Sequence, residues 1–182
     1  MRKLILITGA RRSGKDTVAK MIQKDLYANL IDITCKLKEV VAKMFNVSPE
    51  WLDENKDETF EFFGQTFSIR HFLQHIGNDI APGLFMTKNY WLDHLQSHLV
   101  ILKEDNVIIS GVRLTNEVEY LRTMNPQAEV IVIKVIRENF QAENPQDDLH
   151  NTELQVNLIK SDYTITASNM EELIEGVNKL HL

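Results

Sequence analysis

Apolar residues along the chain alternate between two periods. Leu4 to Ile7 is a short unbroken apolar run ending in Thr8-Gly9, the pattern of a buried strand entering a turn. Past a glycine-rich stretch, Val18, Met21, Ile22 and Leu26 recur at helical spacing. Leu30–Ile33 predicts a second strand. Leu37, Val40, Val41, Met44 and Phe45 then follow i, i+3, i+4, i+7 and i+8, one face of an amphipathic helix. The stretch SPEWLDENKDETFEFFGQTFS is polar, acidic and irregular, and predicts an excursion from the main fold. Ile69, Phe72, Leu73, Ile76 and Ile80 make another helix face, and Trp91, Leu92, Leu95, Leu99 and Leu102 one more.

The second half repeats the alternation. Val107–Ile109 is an apolar run closed by Ser110-Gly111. Asn116 is placed to cap the next helix, with Glu119 three residues on. Val130–Ile136, VIVIKVI, is the most strand-like segment. Residues 138–161 are polar, carry Pro145 and an acidic run, and predict a mobile loop. Tyr163–Thr166 predicts a last short strand. Ser168-x-x-Glu171 reads as a capping box before Leu173, Ile174, Val177 and Leu180. Unbroken apolar strands alternating with helices predict an α/β fold, with a parallel sheet of about five strands flanked by helices. Ligands of such sheets bind beyond the carboxyl ends of the strands. Gly9, Gly111 and Arg137 mark three such ends.

Length and charge narrow the picture. The 182 residues suit one domain with a substantial core, and 43% hydrophobic with 25% charged residues suits a soluble globular protein. A formal net charge of -6 argues against a broad basic surface for a nucleic-acid polymer. Cys35 is the only cysteine, so no internal disulfide forms. It reads as a packing residue, and a reducing cytoplasm is the expected location. The N-terminus has too short an apolar core for a signal peptide, and no apolar run approaches the roughly 20 residues of a membrane span. His71/His75 and His94/His98 have i, i+4 spacing but lack a His-Glu-x-x-His context, so they read as solvated helix faces.

The chemistry concentrates in ITGARRSGKDT, Ile7 to Thr17. Gly9, Gly14 and Lys15 fit the phosphate-binding P-loop, and a strand before and a helix after supply its required context. Glycines let backbone N–H groups of Ala10, Arg11, Arg12 and Ser13 turn toward phosphate oxygens, and the helix adds its positive end. Lys15 adds a mobile charge near the β- and γ-phosphates. The hydroxyl expected after the lysine arrives one place late, as Thr17, and Asp16 stands in its position. A carboxylate beside a triphosphate needs a cation between them, so Asp16 is the candidate magnesium residue and Thr17 the candidate for the α-phosphate.

The loop GARRSGKDT resembles that of phage deoxynucleoside monophosphate kinases; animal phosphomevalonate kinases also carry Gly-Lys-Asp. Three later stretches resemble the phage family in the same order: IRHFLQHIGNDI followed by YWLDHL; GVRLTNEVEYLR; and HNTE with Asp162 and NMEEL. The resemblance implies a P-loop kinase domain over residues 1–182, with a substrate-binding segment at about 46–100 and a short lid at about 137–161. It implies transfer of a phosphoryl group from ATP, with Mg2+, to a deoxynucleoside 5′-monophosphate. Lys38 falls near the substrate phosphate, and Arg70, Gln74 and Gly77 fall on a substrate helix, where their spacing puts them on one face. Trp91 is a candidate for stacking on a base, although its leucine neighbours favour core packing. Arg113 suits phosphate binding and Arg137 a lid arginine; His150 and Glu153 lie toward the end of the lid. Lys15, Arg12 and Arg137 are the candidates for charge neutralisation during transfer. Members of the family are often dimers, which carries a homodimer over as an expectation.

One departure stands out. The family usually has an acidic residue where this chain has Gly111. That leaves two alternatives open beside the main reading. One is another small-molecule kinase, of phosphomevalonate or dephospho-coenzyme A type. The other is a degenerate nucleotide-binding regulator.

Overall fold

The computed structural model of the chain describes residues 1–138 and 151–182. In chain order come β1 (Lys3–Gly9), α1 (Lys15–Leu26), β2 (Asn29–Asp32), α2 (Cys35–Phe45), α3 (Pro49–Glu54), β3 (Thr59–Phe62) and β4 (Gln65–Ser68). Then follow α4 (Ile69–His75), a π-helical turn (Ile76–Ile80), α5 (Ala81–Phe85), α6 (Tyr90–Ile101), β5 (Asn106–Val112) and α7 (Thr115–Met124). The chain closes with β6 (Glu129–Arg137), α8 (Asn151–Leu158), β7 (Tyr163–Ala167) and α9 (Met170–Asn178). These elements divide into two compact units, Met1–Ile33 with Leu102–Leu182, and Thr34–Ile101.

The first unit is a five-stranded sheet in the order β2-β5-β1-β6-β7, with every pairing parallel. Its central strand explains the unbroken apolar run: Leu4, Ile5, Leu6 and Ile7 are all fully buried. A central parallel strand is covered on both faces, so it has no polar side. One core cluster joins Ile5, Ile7 and Ile133 of the sheet to Val18 and Ile22 of α1 and Leu173 and Val177 of α9. That burial seats α1 with its N-terminus beyond the end of β1. Asp162 pins the entry to β7, accepting from the Val132 N–H at 2.8 Å and from Arg122 at 3.2 Å.

The second unit is helical, with a small antiparallel hairpin. Leu37, Val41, Leu52, Ile69, Phe72 and Leu73 form its core. Phe45, Phe60 and Phe72 meet edge to face, with ring centroids 4.7–5.4 Å apart, the geometry that ring quadrupoles favour.

Several local expectations shift. The acidic stretch from Ser48 is ordered: Ser48 caps α3 by accepting from the Trp51 N–H at 3.1 Å, and β3 pairs with β4. Phe63 and Gly64, at φ 49° and 72°, turn this hairpin through left-handed backbone, as two-residue hairpin turns require. Ile80 is exposed because the helix changes to π geometry at Ile76, which rotates its apolar face. Val40 and Met44 are also exposed, and the buried face of α2 contains Lys38 instead.

Two helix starts also move. Asn116 does not cap α7; the Glu117 carboxylate closes that end, accepting from the Arg113 and Leu114 N–H groups at 2.8 and 3.0 Å. The capping box of α9 lies one residue later than Ser168-x-x-Glu171. Asn169 accepts from the Glu172 N–H at 3.0 Å, and Glu172 reaches back to the Ser168 N–H at 2.7 Å. Residues 151–158 of the expected 138–161 loop form α8.

Candidate functional site

The site begins where β1 ends. A Cβ at Gly9 would lie 2.5 Å from both Ser13 Oγ and the Val135 carbonyl oxygen, so only glycine lets the chain leave the sheet there. Arg12 and Gly14 take left-handed backbone, at φ 61° and 93°. Gly14 is the N-cap of α1. Alternating handedness of this kind turns successive N–H groups toward one concavity, a nest for an anion. The Ser13 N–H donates to the Ala10 carbonyl at 3.2 Å, which closes the turn.

Side chains complete the loop. Lys15 is buried, 8% exposed, in the first turn of α1. Asp16 is exposed and Thr17 half-buried. Thr8 Oγ1 and Ser13 Oγ are buried without a hydrogen-bond partner among the described residues. Buried hydroxyls in proteins are nearly always paired, so two orphans beside a P-loop suit an absent polar ligand.

Arg137, the last residue of β6, reaches this loop: its Nη1 donates to the Arg12 carbonyl at 3.4 Å. An open pocket of about 210 Å³ lies here, lined by Arg12, Ser13, Gly14, Thr17 and Arg137. The loop 167–170 between β7 and α9, with Ser168 and Asn169, lines it too. Neither Ser168 nor Asn169 is a binding candidate in the sequence: Ser168 signals a helix cap there, and Asn169 only opens the NMEEL stretch of the resemblance. Hydrogen bonds from the Ser168 N–H and hydroxyl, and from the Asn169 amide, hold the Glu172 carboxyl below its ordinary value.

The end of β5 contributes Arg113, whose backbone N–H is held by Glu117. Part of Glu117 reaches solvent, but its carboxylate faces protein. Burial pushes its pKa above 4.5, and the bonds from Arg113 and Leu114 offset this only in part.

The second unit holds the remaining candidates. Lys38, 9% exposed, donates to Asp53 Oδ2 at 2.9 Å. Arg70 donates to Asp57 Oδ1 through Nε at 3.0 Å and Nη2 at 2.9 Å. Both acids come from the acidic stretch that the sequence marks as an irregular excursion. Gln74 is half-buried. Gly77 is buried against Leu37, where a Cβ would lie 3.0 Å from Leu37 Cδ2. The Gly77 carbonyl accepts from the Trp91 indole N–H at 3.1 Å, and Trp91 packs against the core cluster. In this arrangement Gly77 and Trp91 serve packing. Glu153 falls within α8, and His150 lies outside the described residues.

Residues 50–177 match the family model for deoxynucleotide monophosphate kinase. The Gly-Lys-Asp loop lies outside that match. No curated relative matches the sequence significantly. A provisionally assigned kinase from Chloroflexus aurantiacus is 14% identical with a TM-score of 0.54, covering 97% of this chain and 92% of its own. TT1252 from Thermus thermophilus is 14% identical with a TM-score of 0.52, covering 98% and 95%. A shikimate kinase from Aquifex aeolicus is 18% identical with a TM-score of 0.48, covering 97% and 92%. At these identities the first two likenesses are of fold alone.

Proposed function

The chain belongs to the deoxynucleotide monophosphate kinase family, and from that premise we propose how its residues divide the work of phosphoryl transfer. The enzyme is a phosphotransferase that moves the γ-phosphoryl group of ATP to a deoxynucleoside 5′-monophosphate. The observation that carries the reading is the agreement of two separate signals. The family match begins at residue 50, and Gly9–Thr17, outside it, carries the spacing of a phosphate-binding loop, supported by left-handed backbone at Arg12 and Gly14.

The Ala10–Gly14 backbone and Lys15 hold the donor's β- and γ-phosphates, and Thr17 meets the α-phosphate. The pocket between Arg137 and Asn169 takes the donor's base and ribose. Arg12 and Arg137 neutralise charge as the phosphoryl group moves. No covalent intermediate is needed, since positioning and preorganised charge supply most of the catalysis of such transfers. Lys38 and Arg70 bind the acceptor phosphate, and Gln74 reads a base edge. Arg113 adds charge at the strand end.

The donor set also fits magnesium. Asp16 offers an exposed carboxylate beside a loop with two orphaned hydroxyls, and Mg2+ favours carboxylate and water oxygens. When bound, the ion neutralises charge on the transferred group; Asp16 would hold it directly or through water.

A panel of deoxynucleoside monophosphates, assayed by coupled detection of ADP, tests the reading. Turnover on at least one is expected. ADP formation only with phosphomevalonate or dephospho-coenzyme A would overturn it, and so would ATP binding with no turnover on any acceptor.

A further inference from the structure

Position 111 cannot readily carry an acid in this fold. Gly111 has φ +80°, a backbone conformation that L side chains rarely adopt. It is also the residue skipped in the pairing of β1 with β5: Ile7 pairs with Ser110, and Thr8 with Val112. The neighbouring strand brings a carboxylate to the same place. Asp32, the last residue of β2, pairs with Ser110. A Cβ built on Gly111 would enter a space bounded by Asp32 Oδ1 at 3.6 Å and Ile33 Cγ2 at 3.5 Å.

The position has the right chemistry. β2, β5 and β1 are consecutive in the sheet, and all three end at its carboxyl edge: Asp32 is level with Ser110, Thr8 is level with Val112 one row further on, and Gly111 lies between those rows. Thr8 Oγ1 is fully buried and unpartnered among the described residues. The other strands of the sheet end in Gly9, Val112, Arg137 and Ala167, none of them acidic. In P-loop enzymes, magnesium is held by the loop and by a carboxylate from a strand end.

We propose that Asp32 is the strand-end carboxylate of this enzyme and, with Asp16, holds the divalent cation of the bound nucleotide in place of a side chain at position 111. This rests on the kinase reading above, but it concerns which residue carries the cation.

The test uses Mn2+ as the probe, followed by electron paramagnetic resonance, with a non-hydrolysable ATP analogue bound to the full chain. Asp32→Asn should weaken Mn2+ binding by about tenfold or more, a single lost charged ligand. Its affinity for the analogue in EDTA should stay within about twofold of the parent. Mn2+ affinity equal to the parent's overturns the assignment. A second measurement needs no variant. Fe2+ substituted into the parent complex, with ascorbate and peroxide, should cleave the backbone around residues 32 and 110–111 as well as near 16. Cleavage near 16 alone also overturns the assignment. Turnover by the parent on the deoxynucleotide panel separates this failure from failure of the kinase reading.

Discussion

Lys38 and Asp53 are joined by a 2.9 Å hydrogen bond from ammonium to carboxylate, with the lysine almost buried and the acid half-exposed. Arg70 and Asp57 repeat the arrangement. Both cations assigned to the acceptor phosphate are therefore held by acids from α3 and the turn after it. A phosphate competes for the same donors, and the ion pair fixes where they stand. Lys38→Met should raise the KM for the deoxynucleoside monophosphate about tenfold or more, the loss of one charge-assisted contact. Asp53→Asn leaves the ammonium in place. It should change that KM by less than about threefold while costing about 1 kcal/mol of stability, because the acid is half-exposed and solvent screens the pair. Steady-state kinetics and thermal melts separate the two; an unchanged KM in Lys38→Met removes Lys38 from the acceptor site.

The P-loop lysine is tested against its own neighbour. Lys15→Ala should lower kcat by about 10²–10³-fold, the usual loss when a preorganised charge is removed from a transition state. Asp16→Ala should instead raise the Mg2+ concentration needed for half-maximal rate, by about tenfold at saturating ATP. Titrating Mg2+ against rate measures both. If Asp16→Ala keeps the parental magnesium requirement, Asp16 does not hold the ion.

How much of this was legible before the fold was known depends on the range of the cause. β1, the loop and α1 were readable because their constraints are local. A strand buried on both faces must be apolar throughout, and Gly9 and Gly14 are required by close approach and positive φ. Helix ends were less readable. Periodicity locates a face but not the residue whose oxygen closes the first turn, so Glu117 and Asn169 took roles expected of Asn116 and Ser168. The hairpin 59–68 was hidden because Phe60 and Phe67 are only half-buried, and what they pack against comes from other segments, Phe45 and Phe72 among them. Asp32 could not be read at all. It meets Gly111 only through the pairing of β2 with β5, and no local pattern reports strand order.

Glu117 sets a pH signature. Its folded pKa is raised above 4.5 by burial, so in the window between 4.5 and that raised value the native state binds more protons than the unfolded state. Stability from this group is therefore greatest at low pH and falls as pH climbs through the window, then levels off. Glu117→Gln removes the titration and keeps an acceptor for the Arg113 and Leu114 N–H groups. The melting temperature of the parent relative to this variant should fall as pH rises above 4.5. Parallel curves would mean that the carboxyl does not titrate abnormally.

Asn169 combines a cap and a pocket wall, and substitutions can separate the two. Its Oδ1 accepts from the Glu172 N–H at 3.0 Å, and the residue lines the pocket assigned to the donor base. Asn169→Ala removes the cap oxygen and should cost about 1 kcal/mol, a fall in Tm of roughly 2–4 °C for a chain of this size. Asn169→Ser keeps a capping oxygen and should restore most of that stability. Neither variant keeps the amide, so both should raise the KM for ATP by about threefold or more if the amide contacts the base. Serine separates the roles: parental Tm with a raised KM assigns Asn169 to the donor site, whereas parental Tm with a parental KM leaves it only the cap.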